Sequence, residues 1–263
     1  MPFFTDQLGR TIEITTSPGR IVSLVPSQTE LLASLELDDA VTGITKFCVH
    51  PQHWFRTKTR IGGTKNIKPD IIRQLAPDLI IANKEENVRE QVELLARDYP
   101  VWISDVNDLN SALSMIRAVG ELTGTGSKAS AIADQITADF TTLLTAQQSI
   151  RTAYLIWKDP YMTVGGDTFI HDMLTRCGLH NIFGNSLRYP SISLEQLQAA
   201  DCRLLLLSSE PYPFKQQHID ELQQYLPGTT IMLVDGEYFS WYGSRLLHAS
   251  QYFRQLLLNL EIG

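Results

Sequence analysis

The sequence predicts an α/β fold, and three observations carry that prediction. Short apolar runs recur along the chain, most are followed by segments with helical periodicity, and the runs are apolar on both faces. Strands covered by helices on both sides read this way, because a parallel sheet exposes neither face to water. Alternation of such strands with helices defines the α/β class.

The first set of strands is expected at residues 21–25, 41–45, 78–82 and 101–104, and a second set at 152–157, 203–207 and 230–235. Helix starts are marked between them. Ser27 and Glu30 follow the first strand at capping-box spacing, with Ser27 as cap and Glu30 reaching back. Pro69 fits a first helical position, and Asp70 after it suits the positive end of the helix dipole. Ser193 and Gln196 predict a second capping box, and Asp167 or Thr168 reads as the cap of a helix after Gly165 and Gly166.

Residues 126–150 form the longest stretch without a strong breaker. Ile132, Ile136, Phe140, Leu143 and Leu144 fall on one helical face there. A helix over the whole stretch would span roughly 30 Å or a little more. Its place between the two strand sets predicts a rigid spine joining two Rossmann-like lobes, 1–125 and 151–263, with a ligand cleft between them. A faint repeat supports two lobes: residues 67–72 and 192–197 match at an offset of 125, as do 79–81 and 204–206. It places one carboxylate, Asp70 or Glu195, in the first turn of a matching helix in each half.

Composition limits the function. Of 263 residues, 43% are hydrophobic and 19% charged, and the net charge of −7 argues against nucleic acid as a partner. Cys48, Cys177 and Cys202 allow one disulfide at most. The first residues show neither a basic segment nor an apolar core of a signal peptide, and no run approaches the ~20 apolar residues of a membrane helix. Either a mature form stripped of its leader or a cytoplasmic protein fits these features.

The search for catalytic motifs nominates no enzyme. The 124–128 segment (GTGSK) lacks the glycine spacing of a phosphate loop and reads as the turn opening the long helix. Cys48, His50 and His53 are metal-capable and close in sequence, but they match no zinc pattern and no second cluster completes a site. His50 is instead a candidate to touch a ligand or a metal carried by it. Neither a nucleophile elbow nor a cysteine–histidine context for catalysis occurs. What stands out is aromatic content in the loops expected after strands: Phe47, Trp157, Tyr161, Tyr189, Tyr212, Tyr238, Phe239, Trp241 and Tyr242. Loops at the carboxyl ends of parallel strands form ligand crevices, and aromatics there cover large, flat or apolar ligands. The densest stretch, 237–243, is expected as a loop entering the final helix.

The segments 20–30 (RIVSLVPSQTE), 61–63 (IGG), 67–82 (IKPDIIRQLAPDLIIA), 165–174 (GGDTFIHDML), 177–183 (CGLHNIF) and 193–197 (SLEQL) follow one another in a characteristic order. In these the chain resembles, over nearly its whole length, the class III substrate-binding proteins of ABC importers, the helical-backbone metal receptors that bind cobalamin, haem or ferric siderophores. The resemblance implies a monomer, periplasmic or at the cell surface, with no intrinsic cofactor. It implies a metal chelate held in an interlobe cleft with small opening motions, and one acidic residue per lobe, here Asp70 and Glu195, docking on arginines of a permease. Many members carry Glu at the position of Asp70. Cobalamin binders place their cleft groups at Phe47, His50, Tyr189, Glu237 and Trp241; Trp157, Tyr238 and Phe239 join this set from the loop reading. The chain departs from that pattern. Phe47 replaces a tyrosine, Thr64 a tryptophan, and Trp241 an arginine. Haem-binding relatives use a first-lobe tyrosine ligand, and none occurs between Met1 and Ala82, so His50 stands as its substitute. A cytosolic carrier or sensor of the same fold is the alternative, and a small-molecule enzyme a more distant one.

Overall fold

Runs of Ile, Leu and Val flanked by turn residues become the central strands. The computed structural model describes residues 2–143, 146 and 149–261. Two compact units emerge, the first comprising the chain up to Val106, Asn110–Ile136 and Tyr242–Arg245. The second takes Asn107–Leu109, Thr137–Trp241 and the chain from Leu246 onward.

Unit 1 opens with an antiparallel hairpin, β1 (Phe3–Thr5) and β2 (Thr11–Glu13), whose turn is tied by Asp6 accepting from the Leu8 and Arg10 amides. There follow β3 (Ile21–Ser23), α1 (Pro26–Ser34), β4 (Val41–Ile44), α2 (Gln52–Thr57), β5 (Thr59–Arg60) and α3 (Pro69–Leu75). Next come β6 (Leu79–Asn83), α4 (Arg89–Leu95), β7 (Val101–Ser104), α5 (Leu109–Leu122) and α6 (Gly126–Thr141), of which Leu109 and the residues from Thr137 belong to unit 2. The sheet is parallel, in the order β5-β4-β3-β6-β7. Every residue of β3, β6 and β7 is buried, as the two-faced apolar runs require.

Unit 2 continues with β8 (Ile150–Leu155), α7 (Phe169–Arg176), β9 (Leu179–Asn181), α8 (Leu194–Ala199) and β10 (Leu204–Ser208). It ends with α9 (Gln216–Tyr225), β11 (Thr230–Val234), α10 (Gly236–Ser240) and α11 (Leu246–Glu261). This sheet is also parallel, ordered β11-β10-β8-β9. Ala153, Leu155, Leu205, Leu207 and Leu222 centre one core cluster, each large side chain contributing about 1.5–3 kcal/mol by leaving water.

The expected strands all form, with ends shifted by a few residues. Strands β1, β2, β5 and β9 were not expected, because they are two or three residues long and carry polar side chains. Pro69 starts α3 with Asp70 in its first turn, and Thr168 caps α7 by accepting from the His171 amide. The Ser193–Gln196 capping box is complete, with Gln196 Oε1 accepting from the Ser193 amide at 2.8 Å.

Two readings are corrected. The Ser27–Glu30 capping box does not form: Pro26 takes a first-turn position with Val25 as cap, so Ser27 lies inside α1. Glu30 instead pairs with Arg245, accepting at 2.7 and 3.1 Å from two guanidinium nitrogens. The spine helix expected over 126–150 ends at Thr141, a length of 16 residues, or about 24 Å. The Thr141 and Thr142 hydroxyls donate back to the Thr137 and Asp139 carbonyls, competing with the backbone ladder. Ile150 already belongs to β8, and Leu144 lies outside the described residues.

Candidate functional site

Strand order locates the candidate site in each unit. A doubly wound parallel sheet has a crevice at the carboxyl ends of the two neighbouring strands from which connections leave in opposite directions. In unit 2 those strands are β8 and β10, since β8 leads towards β9 and β10 towards β11. Trp157 follows β8, Glu210 follows β10, and α10 follows β11 at the same edge.

Trp157 is 41% exposed and rests edge-on against Tyr212, with ring centroids 5.7 Å apart. Tyr212 contacts Phe214 at 4.8 Å and His218 at 5.5 Å. His218 is buried, and its Nδ1 accepts from the Lys215 amide at 2.8 Å. An open indole thus stands on a packed base of three rings. Met162 bridges to both Trp157 and Ser191, which brings the Tyr189 segment alongside. Tyr189 is half-buried, with the Arg188 guanidinium 5.8 Å from its ring centroid.

Of the 237–243 stretch expected as loop, the residues up to Ser240 join Gly236 in the short helix α10, which Asp235 caps by accepting from the Glu237 amide at 3.1 Å. Coiling this segment sorts its side chains. Phe239 turns inward and is fully buried against Tyr154 and Phe253, so it packs the core and offers no surface to a ligand. Tyr238 stacks on Tyr252 at 4.4 Å, Glu237 is half-buried, and Trp241 is buried. The Trp241 indole donates to Glu210 Oε1 at 2.9 Å, and the Ser240 hydroxyl donates to the same oxygen at 2.7 Å. Burial, together with the charges of Glu237 and Asp235, pushes the Glu210 carboxyl above its ordinary range against these two donors. Gly236 is required here, since a Cβ would lie 2.3 Å from Ser208 Oγ and 2.8 Å from Glu210 Cγ.

In unit 1 the corresponding strands are β3 and β6, and a buried amide network fills the space between their ends. Asn87 donates to the Leu24 and Thr64 carbonyls, while Asn83 and Gln28 both donate to Ser104 Oγ. Phe47 and His50 lie in the loop after β4. Phe47 is 50% exposed, with Lys46 Nζ 4.9 Å from its ring centroid; His50 is half-buried. The loop is anchored between them by Cys48, whose buried Sγ lies 3.1 Å from Thr29 Oγ1 and from Thr45 Oγ1. His53 instead pairs with Asp38 at 3.0 Å. Among the described residues no three His, Cys, Asp or Glu side chains converge as metal ligands.

Away from these edges the chemistry is quieter. All three cysteines are buried free thiols, and burial raises Cys177 to about 12 and Cys202 to about 11. The 124–128 turn opens α6 and lines an open depression of about 690 Å³ with Phe4, Leu35 and Glu36. Leu35 follows the carboxyl end of α1, which places the depression at the opposite edge of the unit 1 sheet from Phe47. Asp70 is exposed beside Arg73, 2.7 Å away. Glu195 is exposed, and hydrogen bonds from Ser193 and from its own amide hold its carboxyl below the ordinary range.

Residues 21–227 match the family model described as periplasmic binding protein. The chain belongs to the periplasmic binding protein family. A vitamin B12-binding protein of Yersinia pestis (strain Pestoides F) is 24% identical over 261 residues, covering 95% of this chain and 91% of that one. One from Vibrio parahaemolyticus is 25% identical over 194 residues, covering 72% and 70%. The fold matches that of the vitamin B12-binding protein BtuF of Vibrio cholerae, with TM-score 0.77, 21% identity and coverage of 94% and 99%. The haem-binding protein HutB of Vibrio cholerae matches with TM-score 0.78, 18% identity and coverage of 90% and 98%.

As a periplasmic binding protein the chain has a binding role. None of its described helices is long and apolar enough to cross a membrane. Trp157 follows β8, and Glu237, Tyr238 and Trp241 follow β11, at the carboxyl edge of the unit 2 sheet, with the Tyr189 segment alongside Trp157; Phe47 and His50 share a loop of unit 1. Glu210 was not among the expected residues. Its signal is a carboxylate two positions beyond a fully buried strand, visible as functional only once strand order shows where β10 lies.

Proposed function

We propose that this periplasmic binding protein captures a large metal chelate, a cobalamin-like corrinoid or a ferric chelate such as haem or a siderophore complex, and delivers it unchanged to an ABC importer. The observation that carries the reading is the exposed Trp157 indole on its ring base at the edge where a doubly wound sheet takes ligands. A large conjugated ring gains from stacking on such a surface as well as from leaving water. Tyr189, Glu237 and Tyr238 are the other contacts proposed in unit 2; in unit 1 Phe47 and His50 are proposed, His50 as a candidate ligand to a chelated metal. Trp241 supports them through Glu210. The vitamin B12- and haem-binding relatives support this ligand class.

Asp70 and Glu195 are the proposed contacts to arginines of the permease. Both are exposed, and Glu195 keeps its charge into acid. The chain acts as a monomer in the periplasm or at the cell surface, with the chelate as cargo and no cofactor of its own. Tryptophan quenching and visible spectra recorded with cyanocobalamin, haemin and ferrichrome test the ligand class. Saturable quenching by at least one is expected; no response to any would sink the reading. The reversals Asp70→Lys and Glu195→Lys are expected to weaken docking on a reconstituted permease while leaving ligand affinity unchanged.

A further inference from the structure

The geometry points to Glu210 as the residue that selects ligands presenting N–H donors, such as peripheral amides, over ligands presenting carboxylates at the same edge. The inference rests on the corrinoid form of the proposed function and adds a specificity determinant to it.

Three observations converge. First, β10 carries Glu210 to the end of the strand pair where connections diverge, opposite Trp157 at the end of β8. Second, the carboxylate is half used. Oε1 accepts from the Ser240 hydroxyl at 2.7 Å and the Trp241 indole at 2.9 Å, whereas Oε2 has no hydrogen-bond partner among the described residues and is not sealed from solvent. Third, the residue is packed on one side and its backbone is tied. Its Cγ lies against Gly236, where a Cβ would approach to 2.8 Å, and its carbonyl accepts from Ser208 Oγ at 2.5 Å.

The second oxygen of an ionised carboxylate held through Oε1 is an acceptor only. It pairs with an amide N–H or a cation and repels a carboxylate, and rejection by repulsion discriminates as strongly as attraction. Asp235 and Glu237 add negative charge around Glu210 and oppose its ionisation. A donor that reaches Oε2 offsets that cost, whereas a ligand carboxylate deepens it. The apolar face of a conjugated ring sits equally well on Trp157 in either case, so the choice falls to the periphery of the ligand.

Two corrinoids with one ring system separate the cases: dicyanocobinamide, whose periphery carries amides, and dicyanocobyrinic acid, whose periphery carries carboxylates. Dissociation constants for both are measured by tryptophan quenching at neutral pH on the wild type, Glu210→Gln and Glu210→Asp, with thermal unfolding as a check on folding. The wild type is expected to prefer the amide form by tenfold or more. Glu210→Gln, which can both donate and accept, is expected to lose most of that preference by binding the amide form more weakly and the acid form more tightly. Glu210→Asp is expected to retain it. A general folding defect would weaken both ligands together and cannot produce opposite changes. An unchanged preference in Glu210→Gln, or parallel changes on both ligands, would overturn the role of Glu210 alone. Failure of the wild type to bind either would overturn the corrinoid reading and this inference with it.

Discussion

The Trp241 indole donates its N–H to Glu210 Oε1 at 2.9 Å, joining the end of α10 to the loop after β10. The acceptor is a carboxylate that burial and two acidic neighbours push above its ordinary range. An ionised acceptor strengthens the bond, so the contact ties a proton equilibrium to the shape of the ligand-facing edge.

That tie has a defined pH dependence. A carboxyl raised in the folded state contributes stability that is present below its unfolded value, near 4, and lost as pH rises through the folded value. Glu210→Gln removes the ionisation. Its melting temperature should match that of the wild type at pH 4 and lie several degrees above it at pH 8. Melting curves at the two pH values check this, and an equal difference at both would show that Glu210 ionisation carries no cost.

Phe239 and Trp157 should part company on substitution. Phe239→Ala empties a fully buried site and should cost about 3–5 kcal/mol in urea unfolding. Trp157→Ala removes an indole that is 41% exposed and should change stability by less than about 1 kcal/mol. The same change should weaken chelate binding by tenfold or more. Paired unfolding and binding measurements on the two variants decide which aromatic meets the ligand.

The Glu30–Arg245 pair fixes the Tyr242–Arg245 segment to α1 in unit 1, helped by Ser34 donating to Ser244 Oγ at 2.8 Å. Their side chains are only 20% and 13% exposed, so removing one partner takes the two-point contact from a largely buried charge. Arg245→Ala should destabilise the protein by about 2–4 kcal/mol. Arg245→Lys should recover only part of that loss, because an ammonium group does not reproduce the two-nitrogen contact. Urea unfolding of both variants gives the comparison.

Gly243 makes the same segment sensitive to size. A Cβ there would lie 2.5 Å from the Ser27 carbonyl, so Gly243→Ala should displace the segment from α1 and cost about 1–3 kcal/mol. Gly228, with nothing near an added Cβ, should accept Ala with little effect in the same assay.

How much of this was legible in the sequence depends on whether a feature is local. The main strands announced themselves because both faces are apolar, and Ser193 with Gln196 and Pro69 with Asp70 marked helix starts through side chains a few positions apart. Ser27 and Glu30 carried the same spacing, yet Pro26 takes the first turn and Glu30 finds a partner 215 positions away. No local pattern contains that partner. The aromatic richness of 237–243 was visible, but not its division into buried Phe239 and stacked Tyr238, which depends on the coil of α10. Glu210 was invisible as a site because its meaning comes from strand order, which a run of apolar residues does not record.

Isothermal titration calorimetry of the wild-type protein with cyanocobalamin, haemin and ferrichrome tests the central claim most directly. Capture of a large metal chelate predicts one-to-one binding of at least one of them, with micromolar or tighter affinity, abolished or weakened at least tenfold in Trp157→Ala. Heats of dilution alone with all three ligands would contradict it, as would saturable binding that Trp157→Ala leaves untouched.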